Sequence, residues 1–226
     1  MTDEEVFEAV RRLVAAGEYL DDIPGKPGLR TESGSHFNVL DTGVRQRIYR
    51  RGSPEHLEAR ASGETERLPP LVPATREAVQ EAEARIGHRL PALLRRLYLE
   101  VGNGGFGPGY GILGLRGGHP DDRGATAVDL LGQYEVPGTT LLPLCHWGCA
   151  IYSLVDCAST EGWMWGFDPH PGEDDLDFFP ERTTFTEWLG HWTSGRLFQP
   201  AGIEDPETGE WRGAMQEEAA AWLRET

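Results

Sequence analysis

A glycine-rich segment is the first place where residue spacing suggests chemistry. Residues 100–115 read EVGNGGFGPGYGILGL and contain the G-x-G-x-x-G pattern of dinucleotide-binding turns. Such a turn follows a strand and opens a helix, whose N-terminus receives the pyrophosphate. Here the strongest helical pattern precedes the glycines, a strand-like stretch follows them, and no Gly-Lys-Ser/Thr of a Walker loop is present. We therefore interpret the segment as a structural turn in which the Asn adopts a left-handed conformation. This turn comprises Gly102, Asn103, Gly104 and Gly105.

Three cysteines and a neighbouring histidine raise the question of a zinc site. Cys145, Cys149 and Cys157 lie close to His146, and a fourth ligand could come from His146 or Asp156. Adjacent residues of a strand point to opposite faces, so Cys145 and His146 are poorly placed to bind one ion. Buried thiols that pack as small apolar groups are favoured over zinc. We expect no metal and no cofactor, and no motif indicates a thiol nucleophile.

An acidic segment offers a different kind of chemistry. Residues 168–181 read DPHPGEDDLDFFPE, with six carboxylates and neither Lys nor Arg. The spacing does not fit an EF-hand loop. A solvated loop and a docking loop for a basic partner are both open, and paired catalytic carboxylates come third because nothing in the pattern indicates tuned pKa values. The carboxylates are Asp168, Glu173, Asp174, Asp175, Asp177 and Glu181.

Aromatic side chains alternate just before the acidic segment. Trp163, Trp165 and Phe167 share one face if this stretch is a strand. We expect them to form core beneath a helix that carries Trp188 and Trp192. In the alternative, the aromatic residues are exposed beside the acidic segment, and Trp163 and Trp165 anchor an interface with a partner.

A helical hairpin precedes the glycine turn. Val79, Ala82 and Ile86 fall on one helical face, and Gly87 is placed to end that helix. Pro91 suits the first position of a second helix, because its missing N–H would have no partner there. The pattern predicts two helices within residues 74–101.

The remaining elements are helices before and after a run of neighbouring strands. Short joints between the strands favour antiparallel pairing, so we predict an α+β fold: a single domain with a mainly antiparallel twisted sheet flanked by helices, plus an N-terminal extension. A Thr184–Glu187 capping box is expected to open the helix after the strands. Further helices are predicted at residues 3–16, 54–61 and 126–135. Strands are predicted on either side of Asp41–Gly43 and at residues 111–116, 140–147, 149–157 and 162–168. A linker is predicted at residues 21–35.

Charge and composition narrow the class of partner. The 226 residues include 37 acidic and 21 basic side chains, a formal net charge of -16. Such a surface repels nucleic acid and anionic membranes, and it attracts basic proteins. The N-terminus lacks the pattern of a secretory signal, no apolar run approaches the ~18 residues of a membrane span, and we expect a soluble, cytoplasmic protein. The one basic cluster comprises Arg45, Arg47, Arg50 and Arg51.

Several of these motifs together resemble the SUKH superfamily, the Smi/Knr-like family. The stretches EAEARIG, RLP, LYLEVGNGG and GILGL occur in the family's order, followed by LLPLCHWGCAIYSLVDC, WMWGFD and TFTEWLGHWTSG. The resemblance covers roughly residues 70–197. The residues that carry it are Glu83, Gly87, Leu90, Pro91, Asn103, Gly104, Gly105, Asp156, Trp165 and Trp188.

The resemblance implies an α+β fold without catalytic residues. Bacterial members typically neutralise a toxin, often a nuclease, by binding it, and fungal members regulate cell-wall synthesis. With the acidic charge, the first hypothesis is therefore a binding module for a basic toxin, and the alternative is a regulatory scaffold, as the fungal members suggest. The third hypothesis is an enzyme with a metal at the carboxylates or the cysteines. It transfers no interface residues, and the sequence gives no signal for an oligomeric state. We divide the chain into an N-terminal extension (1–66), a SUKH-like domain (67–200) and an acidic tail (201–226), with a helix in the tail carrying Met215, Ala219 and Trp222.

Overall fold

The protein consists of helices around a central antiparallel sheet, with two smaller sheets. The computed structural model describes residues 1–28, 36–169, 177–205, 208–209 and 211–214, so the helix predicted around Met215 lies outside the described residues. The helices are α1 (Asp3–Ala16), α2 (Pro54–Ala61), α3 (Arg76–Ile86), α4 (Ala92–Glu100) and α5 (Phe185–Thr193). The strands are β1 (Asp22–Pro24), β2 (Phe37–Val39), β3 (Arg45–Arg50), β4 (Leu141–Gly148), β5 (Ile151–Asp156), β6 (Trp163–Phe167), β7 (Phe178–Thr184), β8 (Gly202–Glu204) and β9 (Trp211–Gly213).

The central sheet is a meander of four neighbouring strands in the order β4-β5-β6-β7, each antiparallel to the next. All six residues of β5 are buried, as expected for an inner strand covered on both faces. The predicted α+β class and antiparallel sheet are confirmed. The sequence did not predict β7, because Pro180 and the acidic residues around it obscure the strand pattern. Proline is tolerated there since β7 is an edge strand.

One apolar core joins helices from both ends of the chain. Val6, Phe7 and Val10 of α1 are fully buried in the same cluster as Trp188 and Trp192 of α5.

The predicted capping box of α5 is confirmed: Thr184 and Glu187 exchange hydrogen bonds, which satisfies backbone N–H groups that the first helical turn leaves free. The helical hairpin is also confirmed, with one difference. Pro91 is the N-cap residue, and α4 begins at Ala92.

A second sheet, β1-β3-β2, is formed by the N-terminal segment. The predicted strands around Asp41–Gly43 are confirmed as the hairpin β2–β3. The linker predicted at residues 21–35 is wrong in part, because residues 22–24 pair with β3. Isolated bridges tie this sheet to the rest, Leu20 to Gly107 and Gly25 to Thr65.

Between α4 and β4 the chain runs mainly through turns. The predicted strand at 111–116 is wrong, since only Ile112 makes a strand-like bridge, to Cys145. The predicted helix at 126–135 is also wrong. Thr126 donates to Asp129 as in a helix cap, but the chain continues as turns, and Gly132 adopts a φ of 82°, which interrupts a helix.

The glycine turn packs closely against its own neighbouring backbone. Gly104 has a φ of 77°, and a Cβ there would lie 2.5 Å from the backbone N of Gly114. Asn103 is not among the residues with positive φ, so its predicted left-handed conformation is wrong. Its side chain instead accepts from the N–H of Leu115 and donates to the carbonyl of Arg116. This segment packs directly against residues 112–119, and the close approach requires glycine.

Candidate functional site

The acidic segment splits into parts with different surroundings. Asp168 and Asp177 form the base of the β6–β7 hairpin, where the N–H of Asp168 donates to the carbonyl of Asp177 (2.9 Å). Glu173, Asp174 and Asp175 lie outside the described residues. Asp177 is exposed and Asp168 is half-buried, so the hairpin base presents carboxylates at one end of the central sheet.

Glu181 differs from the other carboxylates because it lies within strand β7. The fully buried hydroxyl of Ser153 donates to its Oε1 (2.9 Å), and the indole N–H of Trp147 donates to Ser153 (3.1 Å). Burial raises the pKa of Glu181 to about 7, and the hydrogen bond from Ser153 opposes this increase. Glu181 therefore belongs to a polar network of the sheet rather than to the hairpin loop.

The network predicts a specific pH dependence of stability. Because the folded pKa of Glu181 exceeds its ordinary value of 4.5, the folded chain binds more protons than the unfolded chain between pH 4.5 and about 7. The Glu181 contribution to the free energy of unfolding therefore falls as pH rises through this window and is level above it. Glu181→Gln should remove this fall, so the variant gains stability relative to the parent from pH 5 to 7 in urea titrations. Glu135→Gln, at an exposed position, is the matched control, and parallel curves for parent and Glu181→Gln would contradict the assignment.

The aromatic residues of β6 lie on its less buried face. Met164 is buried, whereas Trp163 is 43% exposed and Trp165 and Phe167 are half-buried. The prediction that these aromatics form core is therefore wrong for Trp163. Phe167 lies next to Asp168, whereas Trp163 lies at the other end of β6. At about 3.3 Å per residue, Trp163 is roughly 13 Å from Phe167 along the strand. The structure thus brings Phe167, but not Trp163, next to the acidic hairpin.

A row of aromatic rings crosses the whole central sheet. Four of its members lie directly opposite one another on successive strands: His146 pairs with Tyr152, Tyr152 with Phe167, and Phe167 with Phe178. Two further rings from the turn segment complete it, with ring centroids 4.8–5.5 Å apart along the row. Such cross-strand aromatic pairs stabilise a sheet and hold each ring in place. This aromatic row consists of Tyr110, His146, Tyr152, Tyr134, Phe167 and Phe178.

Carboxylates border the aromatic row at both ends. Asp121 is buried and accepts hydrogen bonds from the hydroxyl of Tyr152 (3.1 Å) and from two backbone N–H groups. These bonds hold the Tyr152 side chain in place. Asp122 beside it is exposed, with its carboxylate 3.9 Å from the ring of His146. At the other end Phe178 follows Asp177 directly. Tyr110, Asp122 and Asp177 are exposed, whereas the central rings of His146 and Tyr152 are buried, so the row reaches the surface only at its margins.

The thiols give no support to nucleophilic or zinc chemistry. Cys145 and Cys157 are buried, and burial raises the pKa of Cys157 to about 12 and that of Cys145 well above its ordinary value. Cys149 is exposed at the β4–β5 turn. In the part of the chain that the structure describes, no three His, Cys, Asp or Glu side chains cluster as metal ligands.

Comparison with known protein families identifies the family of this domain. A family model described as SMI1 / KNR4 family (SUKH-1) matches residues 73–191, more than half of the chain. The chain belongs to the SMI1 / KNR4 family. Comparisons with curated proteins and with solved structures gave no significant match. None of the described helices is long and apolar enough to cross a membrane.

The SUKH-1 match begins just before α3 and ends within α5, so α1, α2 and β1–β3 lie outside it.

A buried carboxylate attaches this N-terminal segment to the SUKH-1 domain. Asp21 accepts from the N–H of Gly109 (3.1 Å) and from the indole N–H of Trp192 (2.9 Å). It also lies 3.6 Å from the buried guanidinium of Arg51, which donates to the carbonyl of Trp192. Sequence analysis missed Asp21, because one Asp in a loop carries no pattern.

Replacement of Asp21 should therefore weaken the whole domain. Asp21→Ala removes the acceptor of the Trp192 indole N–H and the counter-charge of Arg51, which keeps only its two backbone carbonyl acceptors. We therefore expect a loss of about 3 kcal/mol in the free energy of unfolding. The neighbouring Asp22→Ala, at an exposed residue, is the matched control and should change stability by about 0.5 kcal/mol or less. Urea denaturation monitored by tryptophan fluorescence gives both values. Equal effects of the two substitutions would contradict this role for Asp21.

Proposed function

We propose that this SUKH-1 protein is a binding protein that neutralises a basic protein, in the first place a toxin domain of the nuclease type. The observation that carries the proposal is the aromatic row with exposed carboxylates at both ends, in a chain of net charge -16. The family assignment supports it, because SUKH-type domains are often immunity proteins. The proposed action is occlusion of the partner's functional surface together with charge complementarity.

The chemistry of the surface suits such a partner. A nuclease presents Lys and Arg to its phosphate substrate, and an acidic surface attracts those groups and speeds encounter. The exposed ring of Tyr110 and the half-buried rings of Tyr134, Phe167 and Phe178 supply rigid contact area at little entropic cost, while the buried His146 and Tyr152 hold them in place. We assign the exposed carboxylates Asp122 and Asp177 to the margin of this interface, with Asp168 and with Glu173, Asp174 and Asp175 of the acidic segment. Trp163 and Trp165, farther along β6, are proposed as a second contact.

We infer binding rather than catalysis as the mode of action. The buried thiols have raised pKa values, which disfavours the reactive thiolate at neutral pH. The Tyr152 hydroxyl is held by Asp121, and burial raises the pKa of Tyr152, which makes it a poor general base. The proposed site of action is the cytoplasm, where an immunity protein meets a toxin that has entered or is made in the cell.

Affinity capture tests this proposal. The tagged protein should retain a basic, nuclease-like protein from its own host at low salt and release it at high salt, because the Debye length falls from about 10 Å at 0.1 M to about 3 Å at 1 M. Asp122→Arg/Asp177→Arg should weaken binding about tenfold or more. Glu58→Arg/Glu77→Arg makes the same charge change at exposed residues of α2 and α3, and should retain the partner. Mass spectrometry identifies what is bound.

Two outcomes would overturn the proposal in different ways. Recovery of signalling or housekeeping proteins alone would favour the regulatory-scaffold alternative. Equal loss of a basic partner in both double variants would show that only the overall charge attracts it, and the aromatic row would then have no special part in recognition.

A further inference from the structure

Strand β2 forms an open edge of the N-terminal sheet. It pairs with β3 on one side, and no other strand in the described ranges pairs with its outer side. All three of its residues are exposed, including Phe37 (42%) and Val39 (62%). Natural proteins protect such edges with charged side chains, proline or very short strands, and β2 is short, at three residues, but carries neither a charge nor a proline. The edge therefore offers unpaired backbone groups flanked by apolar side chains.

The register shows which backbone groups point outward. Leu40 N–H donates to Val44 C=O, and Ile48 N–H donates to His36 C=O. Hydrogen-bonded and non-hydrogen-bonded pairs alternate in an antiparallel ladder, so Asn38 bonds to β3. It follows that Phe37 and Val39 turn their N–H and C=O groups away from β3, toward the open edge.

This edge is complementary to itself. When two copies of β2 run antiparallel about a two-fold axis at Asn38, Phe37 of each copy lies opposite Val39 of the other. All four outward-facing N–H and C=O groups of each strand then find partners. Each aromatic ring also meets a β-branched side chain, which is a favourable cross-strand pair. We propose that the chain forms a symmetric dimer through β2, giving a continuous six-stranded sheet.

Charge opposes a second copy at this edge only weakly at physiological salt. Two chains of net charge -16 repel, but residues 36–51 contain four arginines and a single carboxylate, Asp41. Arg45 stacks on the ring of Phe37 (4.6 Å), and Arg47 on that of Tyr49 (4.9 Å). Facing β3 strands in the dimer are about 14 Å apart at about 4.8 Å per strand, beyond the ~8 Å Debye length at physiological salt. Repulsion between the two sets of arginines is therefore largely screened, and added salt should favour the dimer.

Analytical ultracentrifugation over a range of protein concentrations tests the dimer. The parent should reach twice the monomer mass, more readily at higher salt. Val39→Pro removes an outward N–H without removing a bond to β3, and Val39→Lys adds an edge charge, so both should remain monomeric with unchanged circular dichroism. Val72→Lys is the matched control at another exposed valine and should dimerise as the parent does. A parent that stays monomeric up to millimolar concentration would overturn the proposal, as would dimers of Val39→Pro equal to those of the parent.

Disulfide trapping tests the register independently. In the proposed dimer the two Asn38 residues form a non-hydrogen-bonded pair with Cα atoms about 4.5 Å apart, within reach of a disulfide. Asn38→Cys in a Cys149→Ser background, which removes the exposed thiol, should give a covalent dimer under mild oxidation. Leu57→Cys in the same background is the control at an exposed position of α2. Cross-linking of Asn38→Cys no faster than that of Leu57→Cys would overturn the register.

Discussion

The buried carboxylate of Asp21 is the interaction on which the arrangement of elements depends. Its partners come from three separate parts of the chain: Gly109 from the turn segment, Trp192 from α5, and Arg51 from the end of β3. Arg51 in turn stacks on the ring of Trp192 (4.6 Å) and donates to two backbone carbonyls. A buried ionic network of this kind is tolerated only when every member has partners, so each contact fixes the position of the others. The N-terminal segment is thus bound to the SUKH-1 domain by specific geometry as well as by apolar contact.

The same interaction reaches the candidate binding surface through the backbone. Gly109 donates to Asp21, and a Cβ at Gly109 would lie 2.8 Å from the carbonyl of His146, so the turn segment packs closely on β4. Tyr110 follows directly and places its ring 5.5 Å from that of His146. The position of the first ring of the aromatic row therefore depends on a carboxylate outside the matched family range. Substitutions near Asp21 can alter recognition without any contact with a partner.

Local patterns predicted the helices well because their information is local. The apolar spacing around Val79 and the cap at Thr184 are sufficient to define α3 and the start of α5. Three of the four strands of the meander, β4, β5 and β6, were also predicted. Alternation in β6, however, shows only that Trp163 and Trp165 share a face, not which face is covered. Strand β7 was missed, and with it the placement of Glu181 inside the sheet, because pairing with β6 outweighs the low strand propensity of Pro180. The aromatic row follows from register between distant residues, which no local pattern contains; Tyr152 and Phe167 become neighbours only once the strands pair.

The rings of the aromatic row come from two kinds of structure, paired strands and turns. His146, Tyr152, Phe167 and Phe178 are fixed by strand pairing, and replacing them would disturb the sheet. Tyr110 and Tyr134 come from turn segments, where the chain tolerates substitution and insertion more readily. The exposed Asp122 and Asp177 likewise lie outside the strands. In the proposed interface, stability and recognition are therefore divided between different residues: the strands hold a rigid aromatic base, and the turns supply the groups that would contact a partner. A rigid base lowers the entropy lost on binding, so a change of partner requires new chemistry only at the margin.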